Sequence, residues 1–413
     1  MWRGKNRSWI GTEKGSILLI MAVAMVMMLG ISAIAIDLVN LYLARAQAQR
    51  AADAAALAGA KSFVTSGCAT SGCTPGGVQE TMAAQQAVAV AAQNDIAGQP
   101  AVVDPASDVV FSYPTAEEPQ ITVTTGRSVG TFFAKVFGVR TVNVSATATA
   151  EAYNPAGGGN TALGQQCLRP FLVPNCDPAP GQNSPANPNC ATSGQGYFFN
   201  TNTSPAAIAH PGAYPSGIQG MPWQLHSNAG PSQWYLVGFS GAPPSSGSAL
   251  RNHISMCTSA ILSCGDTLTT ANGVNLGPVE QGTQTLINAN GDGLNQGQDS
   301  IDTTIGPPFP ITGGSNNPNP NLRGKVFYDY SESPSVVTLP VYNGSSLPPG
   351  GTQVQIVGYM QAFIKDIVHQ GTDDYLDVVI LNISSCGASS SGSSNTVVAS
   401  AGSPVPIRLI RTN

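Results

Sequence analysis

The sequence predicts an α+β protein: an N-terminal transmembrane helix that continues into a long helix, a small α+β domain, and a mainly β, loop-rich, disulfide-braced C-terminal domain. Three observations predict this class. Residues 16–36 form an apolar run without a charge, an alanine-rich helical pattern follows at once, and the later chain is dominated by turn residues and short alternating segments. The predicted boundaries are 1–15, 16–36, 37–152 and 153–413.

The apolar run has the length of a transmembrane helix. Residues 16–36, at a rise of about 1.5 Å each, cross a hydrocarbon core of about 30 Å. Four basic residues and one acidic residue precede the run, and such an excess of positive charge holds a flank in the cytoplasm. We therefore expect a single-pass protein of the inner (cytoplasmic) membrane. Residues 1–15 would be a basic cytoplasmic tail, and the bulk of the chain would be periplasmic or otherwise extracytoplasmic.

A cleaved signal peptide is the alternative explanation of the same residues. The basic start fits it, and Ala33–Ala35 matches an A-x-A cleavage site. The apolar stretch of a signal peptide is usually about 7–15 residues long, however, which is shorter than this run. The helical pattern also continues past Ala35 through Leu38 and Leu41. We therefore expect a retained anchor, while the sequence leaves open whether the helix is ever cleaved.

A face of small side chains follows on the helix that leaves the membrane. Ala48, Ala52 and Ala55 recur at the i, i+4 and i+7 positions, so they lie on one side of the helix. Small residues at this spacing let another helix approach closely, although high helix propensity alone also accounts for alanines. We expect these three alanines to form a helix-packing face and Gln47 to lie on another side.

The residues up to 152 alternate between helical and strand patterns. A loop is expected over 64–75, and Gly138 should end a short helix. The predicted elements are helices over Val78–Ile96 and Thr131–Phe137 and strands over Val109–Tyr113, Gln120–Thr125 and Val139–Ala150. Together these elements predict the small α+β domain.

From residue 153 the composition favours strands joined by turns. The chain of 413 residues contains 46 glycines and 31 prolines, and only 9% of its residues are charged. No cluster of Lys or Arg lies outside the N-terminal flank, so we expect no nucleic-acid partner. Strands are predicted over Gln233–Phe239, Lys325–Tyr330, Val336–Tyr342, Gln353–Ile364, Tyr375–Ile383 and Ile407–Ile410, and a flexible loop over 385–395.

Eight cysteines follow the apolar run. None forms the C-x-x-C spacing of metal sites and redox motifs, so structural disulfides are predicted. Cys68 with Cys73 and Cys257 with Cys264 are candidates for small local loops. The sequence leaves open the pairing of the other four: Cys167, Cys176, Cys190 and Cys386.

One segment has the spacing of a calcium-binding loop. Asn288, Asn290, Asp292 and Asp299 occupy ligand positions of an EF-hand, with a glycine in the sixth place. They supply only two carboxylates, and Asn, Gly and Asp also build ordinary turns. These four residues are therefore weak calcium candidates, and a plain loop is the alternative.

Catalytic patterns do not occur in the sequence. The four histidines are scattered without an H-E-x-x-H pair, no G-x-S-x-G elbow occurs, and no glycine-rich loop ends in G-K-[ST]. We therefore expect no enzymatic activity and no cofactor.

Residues 14–60 combine the apolar run with a polar and alanine-rich block. Gly15 precedes the run, and the features after it are Asp37, Tyr42, Arg45, Gln49 and AADAAALAGA at 51–60. This combination resembles the N-terminal region of the TadE/TadG-like pilus-assembly family, which serves the tight-adherence (Flp-type) pilus. TFFAKVFG (131–138) and VNVSATATA (142–150) resemble the family's usual continuation, so the resemblance covers about residues 14–152.

The resemblance implies a larger exported TadG-like protein. Such a protein would be a non-enzymatic, membrane-anchored component of a Flp-type pilus or a related assembly apparatus. Its N-terminal helix would contact other pilus-assembly or envelope proteins as well as the membrane. The alternative is an exported β-rich binding module that contacts a surface, a glycan or an envelope partner.

Two departures from the family pattern limit what the resemblance implies. Pilin-like members are cleaved after a glycine and carry Glu five residues later, but Ile20 occupies that position after Gly15. We therefore expect the chain to keep its anchor and not to be the bulk pilus subunit. Several TadG-like proteins also carry a von Willebrand A domain with a D-x-S-x-S metal site. Asp329–Ser333 matches that pattern, but too little chain follows to complete such a domain, so we expect an ordinary serine-rich turn.

Overall fold

The structure is a computed structural model. It describes residues 13–157, 161, 163–175, 197–226, 235–238, 246–257, 260–270, 276–343, 353–370, 373–387, 397–399 and 402–410. Outside these residues lie Cys176, Cys190, most of the tail 1–15, the expected loop 385–395 beyond residue 387, and the ends of the predicted strand Gln233–Phe239.

Five α-helices lie within the described residues. The first, α1, continues without a break from the apolar run through the alanine-rich block, as the sequence predicts. The helices are α1 Glu13–Thr65, α2 Cys68–Ser71, α3 Val78–Ala92, α4 Gly247–Ser255 and α5 Leu276–Ile287. Short 3₁₀-helices cover Ala134–Phe137, Pro155–Gly157 and Tyr330–Glu332.

Most of the strands are short, and the longest lie near the end of the chain. The bounds are β1 Asp95–Ile96, β2 Gln99–Pro100, β3 Val109–Ser112, β4 Gln120–Gly130, β5 Thr141–Ala152, β6 Leu163–Gln165, β7 Phe171–Pro174, β8 Phe199–Asn200, β9 Ala207–Ile208, β10 Pro222–His226, β11 Tyr235–Leu236, β12 Leu262–Ser263, β13 Thr267–Thr269, β14 Ser300–Ile301, β15 Ile311–Thr312, β16 Val326–Phe327, β17 Val336–Tyr342, β18 Gln353–Gln370, β19 Asp373–Ser385, β20 Val397–Ala399 and β21 Ile407–Ile410.

These strands form one large sheet and several small ones. The large sheet has 7 strands, with the order β10-β19-β18-β17-β7-β11 and β13 paired to β18 beside that path. Strands β17, β18 and β19 are antiparallel neighbours, whereas β17 and β7 are parallel. The smaller sheets have the orders β21-β5-β4-β3, β12-β6-β20, β14-β15-β16, β1-β2 and β8-β9. The architecture is therefore α+β, with a long apolar helix followed by a strand-rich, disulfide-bonded region.

The chain divides into two compact units, each built from separate stretches of sequence. Unit 1 contains Met1–Ala55, Val88–Val109 and Val123–Ala148. Unit 2 contains Ala56–Ala87, Val110–Thr122 and Thr149–Asn413. Helix α1 and strands β4 and β5 pass from one unit into the other along the sequence.

The apolar core of unit 2 joins the large sheet to the helix pair α4 and α5. Ile254 of α4 and Val279 of α5 belong to the same buried cluster as Leu339 of β17 and Met360 of β18. The two helices meet at Gly282, where an added Cβ would lie 3.0 Å from the Cβ of Ile254. A larger residue at this position would push the helices apart, because protein interiors are close-packed.

Helices α4 and α5 correct the sequence analysis, which predicts no helix in residues 153–413. The hydroxyl of Ser246 caps α4 by accepting a hydrogen bond from the N–H of Ala249 at 3.2 Å. Leu250 and Ile254, four residues apart, then place buried side chains on one face. Short helices of this kind are stabilised by tertiary burial rather than by composition, which is why a composition dominated by turn residues conceals them.

Buried amide side chains hold the chain where α1 ends in unit 2. Gly67, with a φ of +74°, follows the helix in the left-handed conformation that ends helices. The donated hydrogen bonds are Asn382 Nδ2 to Val64 O at 3.1 Å, Gln219 Nε2 to Gly67 O at 2.8 Å and Asn154 Nδ2 to Ala69 O at 2.7 Å. All three amide side chains are buried. Their bonds add to the backbone hydrogen bonds that Val64 O and Gly67 O already accept, and they tie the end of α1 and the following turn to distant parts of unit 2.

Three disulfides lie within the described residues, and two of them join distant parts of the sequence. The bonded pairs are Cys68–Cys73, Cys167–Cys257 and Cys264–Cys386. The candidate pair Cys257–Cys264 is therefore corrected: each of these cysteines bonds to a partner far away in the sequence.

Strand pairing explains why the local pair does not form. Gly265 and Cys386 donate backbone hydrogen bonds of 3.2 Å to the adjacent residues Ile356 and Val357 of β18, so Cys264 and Cys386 meet on that strand. On the other side, Arg169 Nη1 donates to Met256 O at 2.5 Å, which holds the segment after Cys167 beside Cys257. Contacts that are non-local in sequence thus decide the pairing.

We expect the long-range bridge to contribute more stability than the local one. On the chain-entropy account, removing a bridge between residues 122 apart costs about 5 kcal/mol of unfolding free energy, and one between residues 5 apart costs about 2 kcal/mol. The comparison uses two double variants. One carries Cys264→Ser and Cys386→Ser, the other Cys68→Ser and Cys73→Ser, so that neither protein gains a free thiol. Urea unfolding of the detergent-solubilised chain measures the difference. An equal or larger loss in the Cys68/Cys73 variant would contradict this ranking.

Candidate membrane-proximal site

The first half of α1 presents apolar side chains outwards. Apart from the partly buried Leu41, the large hydrophobic residues from Ile17 to Leu43 are between 48% and 73% exposed. A contiguous apolar surface of this size needs lipid or protein to cover it. Within the described residues, 17–65 is the one helix that is long and apolar enough to cross a membrane. By length and composition, α1 therefore qualifies as a membrane anchor.

Asp37, the first charged residue after the apolar run, binds three backbone amides. Its Oδ1 accepts a hydrogen bond from the N–H of Phe132 at 2.6 Å. Its Oδ2 accepts from the N–H groups of Phe133 at 3.0 Å and Ala134 at 2.6 Å. The carboxylate is only 5% exposed. These donors lie at the start of the 3₁₀-helix 134–137, where backbone N–H groups have no partner within the helix. We call this arrangement the Asp37 clamp.

The clamped segment is the connection between β4 and β5. Thr131 closes it, because its N–H donates to Arg140 O at 3.0 Å and its hydroxyl to Val139 O at 2.5 Å. Gly138, with a φ of +90°, ends the 3₁₀-helix as the sequence predicts. We call residues 131–140 the β4–β5 loop.

The predicted packing face of α1 is buried within the chain itself. Ala48, Ala52 and Ala55 have no exposed surface. In unit 1, the hydroxyl of Thr125 on β4 donates to Ala48 O at 3.0 Å, an approach that small side chains permit. A partner helix could not occupy this face without displacing residues of the chain.

Gln47 also differs from the expectation that it lies on an uninvolved side. Its Oε1 accepts a hydrogen bond from the N–H of Ala97 at 2.8 Å, at the turn between β1 and β2. The helical pattern could not show this contact because the donor is a backbone group. Ala46 is exposed, so it replaces Gln47 as the neighbouring position at which a substitution should have little effect on stability.

Of the calcium candidates Asn288, Asn290, Asp292 and Asp299, both carboxylates already accept hydrogen bonds within the protein. Both oxygens of Asp299 already accept hydrogen bonds, with donors at Gly314 N (2.8 Å), Asn317 Nδ2 (2.9 and 3.0 Å) and Ser333 Oγ (2.7 Å). Asp292 Oδ1 accepts a hydrogen bond from Gln284 Nε2 at 2.5 Å. Among the described residues, no group of three or more His, Cys, Asp or Glu side chains could hold a metal.

Asp329 of the D-x-S-x-S pattern caps a short helix. Its Oδ1 accepts hydrogen bonds from the N–H of Ser331 at 3.0 Å and from its hydroxyl at 2.6 Å, and its Oδ2 pairs with Lys61 Nζ at 2.5 Å. Burial alone would raise the pKa of Asp329, but the hydrogen bonds from Lys61 and Ser331 outweigh it and lower the pKa below its usual value. The Asp329 carboxylate therefore stabilises the local structure of unit 2, and the serine-rich segment after it forms a single 3₁₀-helical turn.

A polar cavity of about 380 Å³ lies elsewhere in unit 2. Gln298, Asp299, Thr312 and Lys365 are among its lining residues. The Oε1 of Gln298 is buried without a hydrogen-bond partner. Its Nε2 donates to the backbone of Gly293 at 2.9 Å. The sequence analysis does not identify this cavity, because its walls come from three separate segments.

The Tad family, Flp pilus-assembly TadE/G-like, matches residues 15–62 of this chain. The match confirms the resemblance at the N-terminus. It covers the apolar run, Asp37 and the buried alanine face. No curated protein and no solved structure matches the chain significantly.

We expect Asp37→Asn to release the β4–β5 loop. The substitution places an amide NH₂ against backbone N–H donors and removes the charge, and a buried donor that loses its partner costs about 1–3 kcal/mol. Hydrogen–deuterium exchange of residues 131–140 should therefore accelerate in the full chain. The control is Asp53→Asn on the same helix, because Asp53 accepts its hydrogen bond from the side chain of Gln49. Unchanged exchange in Asp37→Asn would show that the clamp does not hold the loop.

We expect Ala52→Leu to destabilise the protein and Ala46→Leu to leave its stability nearly unchanged. Overpacking a filled interior costs about 1–3 kcal/mol, and Ala52 has no exposed surface. Ala46 lies on the same helix but is exposed, and exposed substitutions usually stay within about 0.5 kcal/mol. Chemical unfolding of the two purified variants tests the difference. Equal stability would leave helix propensity as the explanation of the alanine pattern.

Proposed function

We propose that this chain is a non-enzymatic, membrane-anchored component of a Flp-type pilus or a related assembly apparatus, with a large exported domain. One observation carries the proposal. The Tad family match covers residues 15–62, the segment in which α1 changes from an exposed apolar surface to a buried alanine face. The match therefore falls on the anchor and on its junction with the rest of the chain.

The distribution of charge and disulfides supports export of the bulk of the chain. The basic flank before the apolar run favours a cytoplasmic N-terminus. The three disulfides of the described residues all lie beyond the apolar run, and such bonds persist in oxidising compartments such as the periplasm. We propose a single pass through the inner membrane, with residues 1–15 in the cytoplasm.

The proposed partners are other pilus-assembly or envelope proteins, reached through the N-terminal helix. The outward apolar surface of α1 is the part of this helix that remains open to them, because Ala48, Ala52 and Ala55 are already buried. Ile20 stands where pilin-like members carry Glu, which supports a retained anchor rather than a cleaved filament subunit.

A second candidate function is binding of a surface, glycan or envelope partner by the β-rich region. The polar cavity in unit 2 favours it, because Gln298, Asp299 and Lys365 are among its lining residues. The ammonium group of Lys365 is paired with Asp377 at 3.0 Å, which holds it in place. Carbohydrates and other polar ligands are held by such convergent polar groups. This function could accompany the assembly role.

Deletion and complementation test the assembly role. We expect deletion of the gene to reduce the number of surface pili seen by electron microscopy, and the full chain to restore them from a carbonate-resistant inner-membrane fraction. A matched variant replaces residues 1–36 with a cleavable signal peptide, so that the same exported residues are made without the anchor. We expect this variant not to restore pili.

Two outcomes would argue against the proposal. Normal piliation in the deletion strain would contradict the assembly role, and carbonate extraction of the full chain would contradict anchoring. If piliation is normal and the full chain is retained on immobilised polysaccharide, the binding function is favoured. A gene neighbourhood that encodes a secretion ATPase and a prepilin peptidase would support the assembly role independently.

A further inference from the structure

The β4–β5 loop exposes a dense set of large apolar side chains. The exposed fractions are 57% for Phe132, 41% for Phe133, 78% for Val136 and 78% for Phe137. Single exposed hydrophobic residues are ordinary on protein surfaces, but four within six positions form a patch. Such a patch marks a surface that is covered in the working protein.

The Asp37 clamp fixes this patch at one level of α1. Asp37 directly follows Ile36, the last residue of the apolar run, and its carboxylate binds the amides of Phe132, Phe133 and Ala134 at 2.6–3.0 Å. All of these residues belong to unit 1. The patch therefore lies beside the point where a membrane-spanning α1 would leave the hydrocarbon core.

Basic residues accompany the apolar side chains. Lys135 lies within the loop and Arg140 at its end, and both are exposed. Aromatic rings at the level of the lipid headgroups, with Lys or Arg beside them, are the usual composition of a membrane interface. Cationic side chains at this level are attracted to lipid phosphates. The charge of the loop therefore complements a bilayer surface.

We infer that the β4–β5 loop is a second membrane contact, which inserts its aromatic side chains into the extracytoplasmic headgroup layer beside α1. The inference rests on the proposed anchoring of α1. Lipid is favoured as the occupant because the adjoining surface of α1 is apolar and open along residues 17–43. The patch continues that surface at its outer end. With two points of contact, the bilayer would restrict the tilt of unit 1.

Tryptophan fluorescence in bilayers tests the inference on the full chain. Three single variants are reconstituted into two sets of nanodiscs, whose phospholipids carry bromine either near the glycerol backbone or deep in the acyl chains, and the emission of the parent protein is subtracted. Phe137→Trp reports the loop and Leu29→Trp the proposed span. Val102→Trp is the matched control, because Val102 is also exposed, at 56%. Val102 pairs with Gly126 in an isolated β-bridge, and the adjacent Thr125 donates a hydrogen bond to Ala48 O on α1. This control thus lies about 16 Å farther along α1 than Asp37.

We expect the shallow bromolipid to quench Phe137→Trp and the deep bromolipid to quench Leu29→Trp, each several-fold more strongly than Val102→Trp. Strong quenching of Leu29→Trp without quenching of Phe137→Trp would overturn the loop contact and leave the anchoring intact. Blue-shifted but unquenched emission from Phe137→Trp would also overturn it, because the ring would then be covered by protein. If Leu29→Trp is not quenched, the anchoring fails and this inference fails with it.

Discussion

The unbroken backbone hydrogen bonding of α1 is the constraint on which the other features depend. A chain that crosses hydrocarbon must pair every N–H and C=O within its own helix, because lipid supplies no partner. Helix α1 meets this condition over Glu13–Thr65 without an interruption. If α1 spans a membrane as proposed, the first carboxylate after the apolar run can appear only where the hydrocarbon ends, and Asp37 directly follows the run with three amide donors. One side of the helix can then become buried in protein, as the alanine face does.

The C-terminal end of α1 must instead find hydrogen-bond partners outside the helix. There the helix stops inside a folded unit, and the carbonyls that it releases must find donors. Backbone N–H groups of the following turn supply part of them, and Asn382, Gln219 and Asn154 add buried amide donors from three distant parts of the sequence. Networks of this kind are costly when one member is missing, because each buried polar group then lacks a partner in a medium of low dielectric. The amides thus tie the register of strand β19 to the end of the helix.

Much of the fold could be predicted where a local pattern decides the structure. The apolar run and the alanine block predict α1, and the strands predicted over Val336–Tyr342 and Ile407–Ile410 coincide with β17 and β21. Helices α4 and α5 could not be predicted from composition because burial stabilises them. The helix expected over Val78–Ile96 ends at Ala92 instead. Its last predicted residues, Asp95 and Ile96, form strand β1 and pair with β2.

The candidate site also combines features that the sequence could show with features that it could not. Asp37 could be identified as the polar residue at the edge of an apolar run, but its three donors are backbone groups that leave no pattern in the sequence. The contact of Gln47 with Ala97 was hidden for the same reason. The pairing of Cys264 with Cys386 depends on the register of strands that are distant in sequence, so a rule based on spacing predicts the wrong partner.

Strand β21 has a consequence for the order in which the chain can fold. It pairs antiparallel with residues 149–152 of β5, and Arg408 both pairs with Glu151 at 2.5 Å and covers the ring of Tyr153 at 4.3 Å. Residues 151 and 408 are 257 positions apart. If the chain is exported as proposed, this edge of β5 must stay without its neighbour until residue 410 has crossed the membrane. Unpaired strand edges invite association with other chains, so the emerging protein would depend on a low chain concentration or on chaperones outside the cytoplasm during that interval.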